Sequence, residues 1–408
     1  MGDSSSDGAN YLMIKNILTL RYHPTKRSLI PKLSWRDFLK KEVNNPIHFI
    51  EKSIRNTIIK KIDYRTKRIS IALSGGIDSA LTLAILRDTL TNINIDAISI
   101  RFAESTDEVD QAAVIAEKFE ANHHVVHIEN YLKELPKAIS IIKLPFWDLH
   151  WYHVVKKAKS LSNFLISGDG GDELFGGYTF RYKKFLSLTN EDSTTLEKIK
   201  AYLQCHERDW VPDQQKIFSK KIGFSWNKIY DFLKPNFDNP LPRLAQVFLA
   251  DFNGKLLYNW LPLNSAFHRH FEVKPVTPIL SQELISYASH LPYNLKYDRQ
   301  SNIGKLLLRK ILAKYLTRKL LATKKQGFSV NTINLWKSYG RELCNYYLSD
   351  GRILRQGWIN EKWIKSRMSK LDNEPQIRYV NKFLGLLALE IWCRLYVTKE
   401  MKSNTLLV

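Results

Sequence analysis

RISIALSGGIDSALTLAILRDTL, residues 68–90, decides the fold. Residues 68–73 are a short β-branched run that reads as a strand, and DSALTLAILRDTL reads as a helix. Between them lie only Ser74, Gly75, Gly76 and Ile77. A strand that turns through glycines into a helix makes an anion cradle. Glycine lets the backbone approach the anion closely. The amides and dipole that open the helix favour phosphate oxygens. Ser74 and Ser79 add hydroxyl donors. Asp78 would repel phosphate unless a cation lay between them, so it implies Mg2+ bridging carboxylate and pyrophosphate. No lysine follows the glycines, so this is not a Walker-type GxxxxGK[ST] loop.

Working outward, IDAISIRF (95–102), NHHVVHIE (122–129) and NFLIS (163–167) read as three more strands. Helical patterns at 107–119 and about 149–160 separate them. Strands alternating with helices predict an α/β fold, a parallel sheet with helices on both faces. Ligands in such sheets bind beyond the carboxyl ends of the strands. A helix is expected from about residue 45 to 62. Residues 11–45, with YLMIKNILTL and a Pro-bearing basic stretch, read as irregular. From about residue 191 onward the pattern is helical. The expected organisation is an irregular basic segment (1–44), an α/β core that carries the phosphate loop (45–190) and a mainly helical part (191–408).

A second glycine-rich stretch follows the fourth strand: Ser167-Gly168-Asp169-Gly170-Gly171-Asp172-Glu173-Leu174-Phe175-Gly176-Gly177-Tyr178. Three acids within five residues make little sense in a core. They suit a loop that offers a second Mg2+ carboxylate opposite Asp78. The first motif, SGGxDS after a strand, resembles the pyrophosphate loop of the ATP pyrophosphatase superfamily. The second closely resembles the SGxGxDELFGGY signature of the asparagine synthetase family. Residues 107–124, the C-terminal FLGLLALEIWCRLY and Lys325 in a K-x-G-F context extend that likeness. The resemblance implies an adenine nucleotide alpha hydrolase-like fold and an AMP-forming ligase using ATP and Mg2+. It implies that Leu73, Ser74, Gly75, Gly76, Asp78, Ser79, Ile100, Ser167 and Gly168 hold ATP. Asp78 and Asp172 would bind Mg2+-pyrophosphate. Lys325 would stabilise charge during adenylation, and Asp169 would position the acceptor carboxylate or its attacking amine. His123 and His124 read as packing residues, and Glu173 and Tyr178 as supports of the loop.

Two departures from the family stand out. No glutaminase domain precedes residue 68, so the expected nitrogen source is free ammonia, another amine or a separate glutaminase subunit. The region matching the family's EVRVPFLD run reads EVKPVTPILS, with Lys274 and Ser281 at altered positions. FWDLHW likewise lacks a Ser or Thr after Asp148. The nucleotide half is kept and the acceptor half altered. Aspartate is the default acceptor, with amidation or cyclisation of another carboxylate as the alternative.

The 408 residues carry a net charge of +22. The excess is in the flanks: residues 1–70 have 15 basic and 6 acidic residues, and residues 301–408 have 21 and 7. A basic surface attracts polyanions, so a tRNA-modifying enzyme built on the same loop is a second reading. The second motif belongs to amide formers, and no CxxC supports sulfur chemistry. Three scattered cysteines and the absence of a signal-like start suit the cytoplasm. No run approaches the length of a membrane span.

Overall fold

The computed structural model describes residues 10–24, 28–105, 109–317 and 330–407. Its centre is a parallel sheet of five strands: β1 (Arg68–Ala72), β2 (Asn94–Phe102), β3 (Asn122–Ile128), β4 (Phe164–Ile166) and β5 (Lys274–Val276). Their spatial order is β3-β2-β1-β4-β5. The chain winds outward from β1 to β3, then crosses back to lay β4 on the other side of β1. The winding therefore reverses between β1 and β4. In an open α/β sheet the crevice beyond the carboxyl ends at such a reversal is where ligands sit. Both glycine-rich motifs leave the sheet at this point.

Alternate side chains feed two apolar layers, as period-two geometry requires. Ile69, Ile71, Ile95, Ala97 and Ile166 pack on one face with helices α2 (Pro46–Lys61), α3 (Ile77–Thr89) and α4 (Val109–Lys118). Ala72, Ile98, Ile100, Phe102 and Leu165 pack on the other. There they meet α5 (Leu135–Ile142), α6 (His150–Lys159) and the C-terminal helix Ile377–Tyr396. A third cluster joins the helices Thr179–Leu188, Thr195–Gln204, Trp226–Phe237 and Arg243–Asp251. The buried polar residues of the strands, Ser70, Asp96 and Ser99, are paired. Asp96, fully buried, accepts from Arg68 at 2.5 and 2.9 Å and from His124 at 2.8 Å, while His123 bonds the Ser99 hydroxyl at 2.8 Å. The two histidines are thus packing residues of the sheet.

The α/β sheet, its four predicted strands and the predicted helices are found within a residue or two of their expected positions. Two expectations are corrected. Residues 11–20, read as irregular, form helix α1 (Tyr11–Leu20). Asn10 caps it by accepting from the Met13 N–H, and Arg21 ends it in the left-handed region. Its buried Met13, Ile14, Ile17 and Leu18 join the layer of the C-terminal helix. The stretch read as helical from residue 191 also contains β5, whose three residues are too short to show a period and include Pro275. A proline is tolerated there because β5 is an edge strand. An antiparallel hairpin, β6 (Tyr297–Asp298) and β7 (Ile303–Gly304), interrupts the same helical stretch. No helix among the described residues is long and apolar enough to cross a membrane.

Candidate active site

β1 delivers Leu73 at its carboxyl end. Leu73 is buried; its N–H donates to the Ile98 carbonyl and its own carbonyl accepts from Ser99. Gly75 then takes a positive φ of 72°, which turns the chain into α3. The turn is tied internally: the Ser79 hydroxyl donates to the Gly76 carbonyl, lies 3.3 Å from the Ser74 hydroxyl, and accepts from the Ser74 N–H. Asp78 stands in the first turn of α3.

β4 delivers the second loop. Ser167 is buried and its N–H donates to the Val276 carbonyl on β5. Gly170 sits at φ 92°, where a Cβ would also overlap Leu280. The loops are packed into one another. A Cβ on Gly168 would lie 2.7 Å from the Asp78 backbone, and one on Gly171 would overlap the Asp78 carboxylate. The short helix α7 (Gly171–Phe175) carries Asp172, and a Cβ on Gly177 would overlap the Asp172 carboxylate. At Gly168 and Gly171, then, glycine is required by the close approach of the two loops to each other. Glu173 and Tyr178 brace the loop through a 2.6 Å hydrogen bond, with Arg181 stacked 4.0 Å over the Tyr178 ring.

Asp78 and Asp172 converge on one cation, the ammonium of Lys305. Its Nζ lies 2.5 Å from Asp78 Oδ2 and 2.7 Å from Asp172 Oδ1. Burial opposes the charge on Lys305, but Asp172 and Asp78 outweigh it and hold the ammonium well above its ordinary pKa. Lys305 follows the hairpin at φ 58°, with its N–H donated to the Phe175 carbonyl at the end of α7. Sequence reading missed it. Its only sequence signal is a Gly-Lys pair at the head of a helical run, which is weak by itself; the second loop recruits it from more than 120 residues downstream.

Ile100 is buried near the carboxyl end of β2. Burial pushes the Asp169 carboxyl up, against the opposing influence of Trp260, Ser167, His150 and Asn264 around it. The structure therefore brings together Ser74, Gly75, Gly76, Asp78, Ser79, Ser167, Gly168 and Asp172, with Asp169 beside them. Lys325 lies outside the described residues.

The asparagine synthase family pattern matches residues 59–394. The chain belongs to that family. Among curated relatives, it is 25% identical over 398 residues to asparagine synthetase [glutamine-hydrolyzing] 1 of Bacillus subtilis, covering 86% of this chain and 61% of that protein. It is 33% identical over 111 residues to a protein of Methanocaldococcus jannaschii assigned as a glutamine-hydrolysing asparagine synthetase, covering 26% and 22%. The chain thus spans less than two thirds of the length of both relatives. The NMN synthetase of Francisella tularensis overlaps 57% of this chain and 97% of its own at 16% identity, with a TM-score of 0.26, a likeness too loose to bear on function. As in the rest of the family pattern, both glycine-rich loops fall inside the matched region. The altered EVKPVTPILS stretch plays a framework part here. Lys274 lies on β5 with its ammonium 5.4 Å over the Phe164 ring, and the Ser281 hydroxyl caps the helix Gln282–His290.

Proposed function

We propose that this member of the asparagine synthase family is an AMP-forming carbon–nitrogen ligase. The observation that carries the reading is the convergence of Asp78 and Asp172, from two interlocked loops, at the crevice where the sheet reverses its winding. A pair of carboxylates at a phosphate cradle is the donor set that Mg2+ uses when phosphates complete its shell. The pair already meets one cation, Lys305, so the donors fit a hard divalent ion. When bound, Mg2+ neutralises the pyrophosphate and makes it a better leaving group.

The chain's own groups do the rest. The amides of Gly75, Ile77 and Asp78 receive phosphate oxygens. Ser74 and Ser79 hold the turn in shape. The Lys305 ammonium is placed to pass from the two carboxylates to incoming phosphate oxygens. An acceptor carboxylate oxygen attacks the α-phosphorus, the α–β bridging bond breaks, and pyrophosphate leaves. Ammonia or another amine then adds to the acyl carbon, loses a proton and expels AMP. Asp169 stands at the edge of the loop where the acceptor enters, as a positioning group. Lys325 is proposed to face the α-phosphate during the first step, where a fixed charge lowers the barrier most.

The test is pyrophosphate release from Mg-ATP with ammonium, across a panel of carboxylates, with Asp78→Ala and Asp172→Asn as controls. The expected result is acceptor-dependent release that falls at least a hundredfold in each variant. Release of phosphate alone, or equal release by the variants, contradicts the reading. Within the basic flanks, Arg55, Arg65, Lys314 and Arg352 are paired with acidic neighbours.

A further inference from the structure

Beside Asp169 lies a pocket of distinct chemistry. Trp260 and Asn264, which act on the Asp169 carboxyl, also line it. Phe146, Trp151, Phe267, Leu149 and Leu263 give it apolar walls, and Arg21, Asp148, His150, Lys255 and Asn259 complete the lining. The half-buried Trp260 ring lies 6.2 Å from Trp151 and 5.4 Å from His150.

One face of a continuous helical segment builds most of this wall. Phe252–Trp260 is a π-helical run that continues directly into the helix Leu261–Phe271. Lys255, Asn259 and Leu263 recur at intervals of four, as do Trp260 and Asn264. Extended π-helical stretches are rare and cluster at functional sites.

The charges of the pocket are already spoken for. Arg21 donates to Asp148 at 2.9 Å and to Asp209 at 3.0 Å. Asp148 also accepts from the Tyr131 hydroxyl and faces His150 at 3.5 Å. Lys255 acts on Asp209. A small dicarboxylic amino acid would bring three charges among groups that pair with each other, and unpaired buried charge is costly. A single carboxylate on an apolar body brings one charge, at the end that meets the nucleotide. Asp169, whose charge is disfavoured by its burial, opposes that approach less than an open aspartate would.

Taking the ligase reading as the reaction, we propose that the acceptor is a carboxylate borne on an aromatic body, seated against Trp260 beside Asp169, and that aspartate is not its substrate. The enclosed space is about 80 Å³. That is less than the roughly 150 Å³ that holds a whole benzene. The ring therefore enters by one edge and stacks on Trp260 at the mouth, a geometry aromatic pairs favour.

The test is calorimetric titration of the full chain with phenylacetate and with aspartate, using wild type, Trp260→Ala and Trp260→Phe. Phenylacetate is expected to bind wild type, to weaken at least tenfold in Trp260→Ala, and to stay within about threefold in Trp260→Phe. Tighter binding of aspartate, no binding of either acid, or unchanged phenylacetate affinity in Trp260→Ala overturns the proposal. Pyrophosphate release run in parallel separates the two readings. Phenylacetate binding that depends on Trp260 without any release sinks the ligase reading and leaves the pocket standing. Release preferring aspartate to phenylacetate keeps the ligase and sinks the pocket.

Discussion

Lys305 carries the electrostatics of the site. Its ammonium neutralises two carboxylates that are 16% and 20% exposed, so their repulsion is only weakly screened by water. Removing one member of such a buried set leaves charge uncompensated and costs about 3–5 kcal/mol. Lys305→Met is therefore expected to lower the urea-unfolding free energy by about that amount. Adding Asp78→Asn to Lys305→Met should recover part of the loss, because one of the stranded charges is gone. Equal losses in the single and double variants would mean that the ion pair does not set the energy. The residue scale also shows what sequence can and cannot disclose. Asp78 and Asp172 were legible because each sits in a dense local motif. Lys305 was not, because its partners are far away in sequence and only the fold brings them together. Trp260 and Asn264 were hidden for the same reason, being two more aromatic and amide residues in a helical stretch.

At the scale of elements, the segment between the helix Gln282–His290 and the β6–β7 hairpin holds an unusual residue. Lys296 is 1% exposed, with its ammonium 5.8 Å from the Phe38 ring centre and 5.3 Å from that of Phe248. Burial pushes its pKa down to about 7. An unfolded lysine titrates near 10.4. Between those values the unfolded chain binds a proton that the folded chain does not, so this residue makes stability rise with pH from about 7 to about 10. Lys296→Met should then stabilise the protein, and more at pH 6.5 than at pH 9.5. Thermal melts at the two pH values check this, and a shift that does not depend on pH would count against it. The longer elements were readable from sequence because each has a full period: β1, β2, β3, α2, α3 and α6. β4, only three residues, was readable as the apolar run that feeds the second glycine-rich loop. β5 and the hairpin were unreadable because two or three residues carry no period. α1 was hidden by its own apolarity, since a helix whose exposed position is Leu12 and whose Asn16 and Thr19 are enclosed lacks a polar stripe.

Across the whole molecule, Arg21 links parts remote in sequence. It closes α1, pairs with Asp148 ahead of α6 and with Asp209 beyond the helix Thr195–Gln204, and lies 5.0 Å over the Phe146 ring. Burial opposes ionisation of Asp148, but the His150 hydrogen bond and the Arg21 charge hold its pKa well below the carboxylate range. Asp209 is held down too, against its burial, by Arg21 and Lys255. Both carboxylates have folded pKa values below their unfolded ones. Their stabilisation is present above about pH 4, the unfolded aspartate value, and is lost as the pH falls through the folded values. Arg21→Met should therefore melt well below wild type at pH 7, with the gap narrowing below pH 4. A gap that is constant from pH 7 to pH 3 would contradict the coupling. This same cluster lines the aromatic pocket, so the packing that joins the parts also shapes the proposed acceptor side. The central claim is that the acceptor carboxylate attacks the α-phosphorus of ATP at the crevice between β1 and β4. Its most direct test is an 18O label in the acceptor carboxylate, with phenylacetate and aspartate run side by side and the products read by 31P NMR and mass spectrometry. The account predicts one labelled oxygen in AMP, with pyrophosphate as the other phosphorus product, from phenylacetate. ADP and phosphate, or AMP without label from every acid that is consumed, would contradict it.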